Sequence, residues 1–192
     1  MYNDFKNSDC PLTSLIKYIL VYNFFTHILC YTINMRNIAF THELIKGKIA
    51  EIIFEQMIHN TRGYTILEFG YEKVVRQLAK ERKSDTAKDT IEIIRRAPDF
   101  AVINEDTHDI NLIEVKYMNK VTKSRALTAA NNIKKSWKKS CLFIASPNGF
   151  YFDKVDDIIK NKGAIKDFKH QMIDKNTQQR YLGLLNEFIQ QN

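Results

Sequence analysis

The sequence predicts an α/β fold, because segments with helical periodicity alternate with short runs of β-branched and aromatic residues. The segments with a helical pattern are residues 41–59, 72–83, 122–139 and a tail over 153–192. The strand-like runs are residues 64–69, 100–103, 112–118, 141–145 and 150–152. The pattern of residues 84–96 fits a strand or a helix equally well. A chain of 192 residues has the length of one ordinary domain, and its 44% of hydrophobic residues is enough for a buried core.

The first predicted helix carries a carboxylate in an unusual position. Its main apolar stripe has helical spacing and consists of Ile45, Ile49, Ile52, Ile53 and Met57. Glu51 lies on another side of the helix, where its neighbours one and two turns away are Leu44, Gly47, Phe54 and Ile58. We therefore expect the Glu51 side chain to be partly shielded from solvent.

The N-terminal region differs in character from the rest, and we divide the chain into a hydrophobic helical extension, 1–38, and a main domain, 39–192. Residues 15–33 approach the length of a membrane span but are interrupted by Lys17, Asn23 and His27. Three interpretations stay open: a helix packed on the domain, a membrane anchor, or a stretch upstream of a true start at Met35. The last interpretation is favoured most and the anchor least, and a cytoplasmic protein is expected.

Composition excludes several classes of site. The three cysteines are odd in number and lack CxxC spacing, which favours a reducing compartment over a disulfide framework. The sequence has no zinc signature, no phosphate-cradling glycine loop and no dinucleotide fingerprint, so no nucleotide cofactor is expected. The net charge of +7, from 29 basic and 22 acidic side chains, is compatible with a polyanionic partner.

The two strand-like runs around the turn Asn-Glu-Asp-Thr-His-Asp, residues 104–109, are typical of an antiparallel hairpin. If its loop is 105–108, Asp99 lies opposite Glu114, with Cβ atoms about 5 Å apart. Lys116 is two residues beyond Glu114 and shares its face. The alternate residues, which we expect to face a core, are Ile113, Val115 and Tyr117.

Two carboxylates that face each other across a sheet destabilise it, and a divalent cation would remove that repulsion. Carboxylate oxygens suit magnesium or manganese. Such a metal ion would polarise a phosphoryl oxygen and lower the pKa of a bound water. Lys116 would orient or deprotonate that water, or stabilise the negative charge of a transition state.

Pro98-Asp99, followed by Glu114-Val115-Lys116, resembles the PD…ExK signature of the PD-(D/E)xK nuclease superfamily, which includes restriction endonucleases and Holliday-junction resolvases. The resemblance implies a restriction-endonuclease-like αβββαβ core, a central mixed sheet flanked by helices, with extra N- and C-terminal helices in this chain. It also implies that Asp99 and Glu114 bind Mg2+ (or Mn2+), that Lys116 assists the attacking water, and that the Val115 backbone carbonyl completes the metal shell.

A second resemblance concerns the first helix. Its segment 46–51, Lys-Gly-Lys-Ile-Ala-Glu, resembles the first-helix pattern of archaeal-type junction resolvases, in which the glutamate joins the metal site. This adds Glu51 to the expected catalytic and metal-binding residues. The alternative is a salt bridge between Glu51 and a nearby lysine. Glu72 is left out of the metal set, because a carboxylate at a helix N-terminus explains it equally well.

A long acid-free stretch follows the hairpin. From Val115 to Phe152 the chain has no aspartate or glutamate but contains Lys116, Lys120, Lys123, Arg125, Lys134, Lys135, Lys138 and Lys139. We expect Lys120, Lys123 and Arg125 to flank the catalytic face and to bind backbone phosphates without reading sequence. The alternative is an ordinary solvated helix face.

Together these observations predict a Mg2+-dependent nuclease that hydrolyses the phosphodiester bonds of DNA, and an endonuclease in particular. RNA stays an alternative substrate, and a homodimer is compatible with the sequence. The competing prediction is a non-catalytic nucleic-acid-binding module that retains the nuclease fold.

Overall fold

The computed structural model describes residues 38–69, 97–168 and 173–190, with side chains in the first helix from residue 41 onward. The predicted helix 72–83, the ambiguous segment 84–96 and the hydrophobic segment 15–33 lie outside the described residues. The chain divides into two units, residues 1–42 and 43–192, and the fold below is that of the second, together with the first residues of its first helix. Within the described part of the chain, no helix has the length and apolar character needed to cross a membrane.

The described residues form five strands and four helices. In chain order the elements are α1 (Ile38–His59), β1 (Tyr64–Glu68), β2 (Phe100–Asn104), β3 (Ile110–Tyr117), α2 (Lys123–Lys134), β4 (Ser140–Ser146), β5 (Gly149–Lys154), α3 (Val155–Lys160) and α4 (Lys175–Gln190).

The five strands make one mixed sheet, in which spatial order equals chain order. Three neighbouring pairs, β1–β2, β2–β3 and β4–β5, are antiparallel. The β3–β4 pair is parallel, because the chain crosses over through α2 before it returns to the sheet. The predicted α/β class is confirmed, and the predicted return of residues 150–152 onto the preceding strand is confirmed as well.

One face of the sheet is covered by α1 and α4. Phe54 of α1 has its ring centroid 5.7 Å from that of Phe100 on β2 and 4.8 Å from that of Phe143 on β4. Both sets of apolar positions on α1 contribute to this core, since Ile53 and Ile58 are both buried. The helix begins at Ile38, earlier than predicted. Its register against the sheet decides where Glu51 is placed.

The opposite face is covered by α2 and α3 over β4. All seven residues of β4 are buried, because helices cover both of its faces. The helix α2 ends at Lys134, not at residue 139 as predicted, since the backbone N–H groups of Ser136 and Trp137 both donate to the carbonyl of Ile133 and turn the chain. Trp137 still packs in the same cluster as the buried alanines of α2.

The prediction of a continuously helical tail over 153–192 is wrong at residues 166–168, between α3 and α4. Residues 166–168 run beside β5, where Phe152 N–H donates to the carbonyl of Lys166 and Phe168 N–H donates to that of Phe150, at 3.0 and 2.8 Å. The Phe168 ring lies 5.4 Å from the ring of Phe152. Aromatic packing on the core therefore overrides the helical pattern at this edge.

Gly163 allows the loop after α3 to approach the start of α2. Its φ is +88°, and an added Cβ would lie 2.0 Å from the carbonyl oxygen of Lys123. Gly163→Ala should lower the free energy of unfolding by about 2–5 kcal/mol, the sum of left-handed strain and overpacking. Urea denaturation measures this loss.

The matched control is Gly183→Ala, in the exposed middle of α4 with open space around the added Cβ. It should raise stability by about 0.5–1 kcal/mol. Equal effects at the two glycines would contradict the close approach described for Gly163.

Candidate active site

The β2–β3 hairpin has the register that the sequence predicts. Phe100 pairs with Ile113, and Asn104 N–H donates to the carbonyl of Asp109 at 2.9 Å. The Asn104 side chain also accepts hydrogen bonds from the backbone of the turn, which fixes the loop. Continued by one residue, this register places Asp99 opposite Glu114.

Asp99 lies immediately before β2 and is hydrogen-bonded both to β3 and to the residue that follows β1. Its carboxylate Oδ2 accepts a hydrogen bond from the Val115 N–H of β3 at 2.7 Å. Its backbone carbonyl accepts from the Phe69 N–H, just after β1, at 3.1 Å. The preceding Pro98 is buried. The position of this carboxylate is therefore set by backbone groups of the sheet.

Glu114 and Lys116 share one face of β3, as predicted. The Lys116 ammonium forms an ion pair with Glu114, whose side chain is only 16% exposed. Between them, Val115 is buried in the core on the other face, together with Ile113. The hairpin thus separates its reactive side chains from its apolar ones by simple alternation.

Glu51 reaches the same neighbourhood from α1. Its side chain is 25% exposed, so the expectation that it is partly shielded is confirmed. Lys48 donates to its carboxylate at 2.8 Å. The salt bridge considered as the alternative for Glu51 is therefore present. The charge of Glu51 also acts on the pKa values of both Asp99 and Lys116.

Asp99 has strongly perturbed acidity. Burial, followed by the negative charges of Glu114 and Glu51, raises the pKa of Asp99 to about 8, against the opposing effects of Lys116 and the Val115 N–H. The carboxyl group therefore retains a proton at neutral pH unless a further positive charge is present.

Lys116 is perturbed in a way that limits its chemistry. Burial lowers the pKa of its ammonium group, but the carboxylates of Glu114, Asp99 and Glu51 outweigh burial, and the pKa is raised above its ordinary value. Lys116 is therefore a cation at neutral pH, suited to orienting a water or to stabilising negative charge.

The residues fit a divalent cation in donor type and in charge. Carboxylate oxygens are the ligands that magnesium and manganese prefer, and the pKa of Asp99 is raised first by burial and then by the negative charges of Glu114 and Glu51, which a cation would offset. As the side chains stand, residues 38–69, 97–168 and 173–190 contain no group of three or more His, Cys, Asp or Glu residues that could hold a metal ion. Glu114 and Glu51 are each paired with a lysine instead.

The three predicted phosphate-binding residues lie at the start of α2 and are exposed. Arg125 donates to the backbone carbonyl of Lys120 at 3.3 Å, and Thr122 caps the helix by accepting from the Arg125 N–H. No hydrogen bond or ion pair among the described residues joins the side chains of Lys120, Lys123 or Arg125 to the four residues of the candidate site. Lys134, further along α2, is ion-paired with Asp156 of α3.

Sequence reasoning missed Lys48 and Glu68. Lys48 lies 3.6 Å from the carboxylate of Glu68, the last residue of β1. A signal was present, since Tyr64 and Ile66 pack on the core and the period of two continues to Glu68. Glu68 therefore lies on the same face of β1 as Tyr64 and Ile66, and α1 covers that face.

No family model matches the chain, and no match is found among curated proteins.

The acidity of Asp99 gives a test of the site in metal-free protein. Between the ordinary pKa of 3.8 and about 8, the folded protein holds a proton at Asp99 that the unfolded chain has lost. Stability from this group is therefore fully present below the lower value and is lost as the pH rises through the higher one. Wild type should lose stability relative to Asp99→Asn over this window.

The measurement is urea denaturation of both proteins in chelator from about pH 4 to about pH 9. The difference between their unfolding free energies should change with pH up to about 8 and level off above it. Parallel curves for the two proteins would contradict the shift.

Proposed function

We propose that this protein is a divalent-metal-dependent nuclease of the PD-(D/E)xK type that hydrolyses phosphodiester bonds of DNA, acting as an endonuclease. The observation that carries the proposal is the hairpin geometry. It brings Asp99 to the Val115 N–H beside Glu114 and places Lys116 on the same face as Glu114. Glu51, from a different element, contributes its charge to the same group.

In the proposed mechanism, Asp99 and Glu114 would hold the metal, helped by Glu51 and by the backbone carbonyl of Val115. When bound, Mg2+ or Mn2+ supplies Lewis-acid polarisation and lowers the pKa of a bound water. Lys116 remains protonated, so its role is to orient the attacking water and to stabilise the charge that develops on the phosphate. Of the roles considered for Lys116, proton abstraction is the least supported.

DNA is the proposed substrate because the segment that follows β3 in the chain is basic and exposed. Lys120, Lys123 and Arg125 are exposed at the start of α2, and that helix has no acidic residue in its first turn. Side chains of this type bind phosphates through charge and hydrogen bonds and do not read base sequence.

A second candidate function is nucleic-acid binding without catalysis. The observation that favours it is the pairing of Glu114 with Lys116 and of Glu51 with Lys48, which compensates two of the three carboxylates without a metal. Such a module would bind DNA with an affinity that falls steeply with salt, and Mg2+ would produce no cleavage.

Removing either central side chain should abolish most of the proposed activity. Asp99→Ala and Lys116→Ala should each slow DNA cleavage in Mg2+ by a factor on the order of 10² to 10³, because the first removes a proposed metal ligand and the second a positive charge that would act in the transition state. The measurement is single-turnover cleavage of a panel of linear, nicked, branched and single-stranded DNA.

The control is Asp106→Ala, which removes a carboxylate from the exposed loop of the same hairpin. It should cleave at the wild-type rate, and circular dichroism should show that all variants are folded. Cleavage at wild-type rates by both Asp99→Ala and Lys116→Ala would overturn the nuclease assignment.

The phosphate contacts have a separate test in binding. Replacing Lys120, Lys123 and Arg125 together by alanine should make the slope of log K against log salt shallower by about 2.7, the expectation for three lost phosphate contacts on duplex DNA. Fluorescence anisotropy between low and moderate salt measures the slope. Lys134→Ala is the control and should leave the slope unchanged, because Lys134 is paired with Asp156.

A further inference from the structure

Lys48 connects two carboxylates that belong to different elements. On α1 it donates to Glu51 at 2.8 Å, and its ammonium lies 3.6 Å from the carboxylate of Glu68 at the end of β1. The side chains of Lys48 and Glu51 are 28% and 25% exposed, so this pair is more shielded than a typical surface ion pair. Partial burial strengthens such a contact and restricts the conformations of both side chains.

The β1 end of this connection lies beside Asp99. Glu68 pairs with Phe100, the residue after Asp99, and the next residue, Phe69, donates its N–H to the Asp99 carbonyl. The contact from α1 to Glu68 therefore links the helix to the strand end that lies beside Asp99. It does so at the helical position from which Glu51 projects.

Other charges contribute to the same cluster. Glu55, one turn beyond Glu51, has a pKa raised by burial and by Glu68, against the lowering effects of His59 and Lys48. Lys48 thus lies among three carboxylates. Without it, we expect Glu51 to turn away from Glu55 and Glu68 toward solvent, because like charges repel.

We propose that Lys48 is a positioning residue of the candidate metal site, which holds the Glu51 carboxylate in place by bridging it to Glu68 at the end of β1. This inference rests on the proposed function and adds to it a residue that acts through Glu51. The lysine itself touches neither substrate nor metal.

A positioning role and a purely electrostatic role for Lys48 predict opposite changes in metal affinity when the lysine is removed. A lysine that acted only by its charge would repel a divalent cation, so its removal would strengthen binding. A lysine that positions a ligand weakens binding when it is removed. Outer partners of metal ligands typically change metal affinity by about 10- to 100-fold.

The test is the dissociation constant of Mn2+, measured by isothermal titration calorimetry on the full chain. Lys48→Met should raise the dissociation constant by about tenfold or more, and Lys48→Arg, which retains a donor of similar reach, should recover most of the affinity. In DNA cleavage, Lys48→Met should lower kcat while KM for DNA stays near wild type.

Lys46→Met is the matched control, because Lys46 forms an ion pair of the same spacing with Glu43 on the same helix. It should bind Mn2+ within about twofold of wild type, because no ion pair or hydrogen bond among the described residues joins Lys46 to Glu51 or Glu68. Wild-type or tighter Mn2+ binding by Lys48→Met would overturn the positioning role.

A metal-free measurement separates this inference from the proposed function. If wild type neither binds Mn2+ nor cleaves DNA, the proposed function fails, and a double-mutant cycle then decides on Lys48. In chelator, Lys48→Met and Glu51→Gln together should lower the urea midpoint by less than the sum of their separate effects. Additive effects would show that Lys48 does not hold Glu51.

Discussion

The carboxylate of Asp99, just before β2, accepts a hydrogen bond from the backbone N–H of Val115 on β3 at 2.7 Å. This bond places a partly buried carboxyl group beside Glu114, where two negative charges would destabilise the sheet unless a proton or a cation compensates them. The neighbouring cations follow from this constraint. Lys116 pairs with Glu114, Lys48 pairs with Glu51, and Asp99 is left with a pKa raised to about 8.

The rest of the fold maintains that arrangement. The strand β3 lies in the middle of the sheet, and the alternation that buries Val115 in the core directs Glu114 and Lys116 to the other face. The core formed by α1, β2 and β4 through the contacts of Phe54 fixes the helix that carries Glu51. A small change in helix register would therefore move this carboxylate away from Asp99 without any change in the hairpin.

The parts of the structure set by local rules were predictable from the sequence. The hairpin register follows from the turn after Asn104 and from period-two alternation, and the α/β class follows from the order of the elements. Parts set by tertiary packing were not: residues 166–168 pair with β5 because Phe168 packs on the core, and Lys48 meets Glu68 only when α1 lies on the sheet. The helical spacing of Lys48 and Glu51 predicts the contact between these two residues but not the contact of Lys48 with Glu68.

The central claim is that the carboxylates of Asp99 and Glu114 bind a divalent cation. Anomalous diffraction from crystals grown with Mn2+ tests it most directly. The account predicts an anomalous peak at about 2.0–2.2 Å from carboxylate oxygens of both residues, with Lys116 displaced from its pair with Glu114. A structure at saturating Mn2+ with no peak at this hairpin, and with the Lys116–Glu114 pair intact, would contradict it.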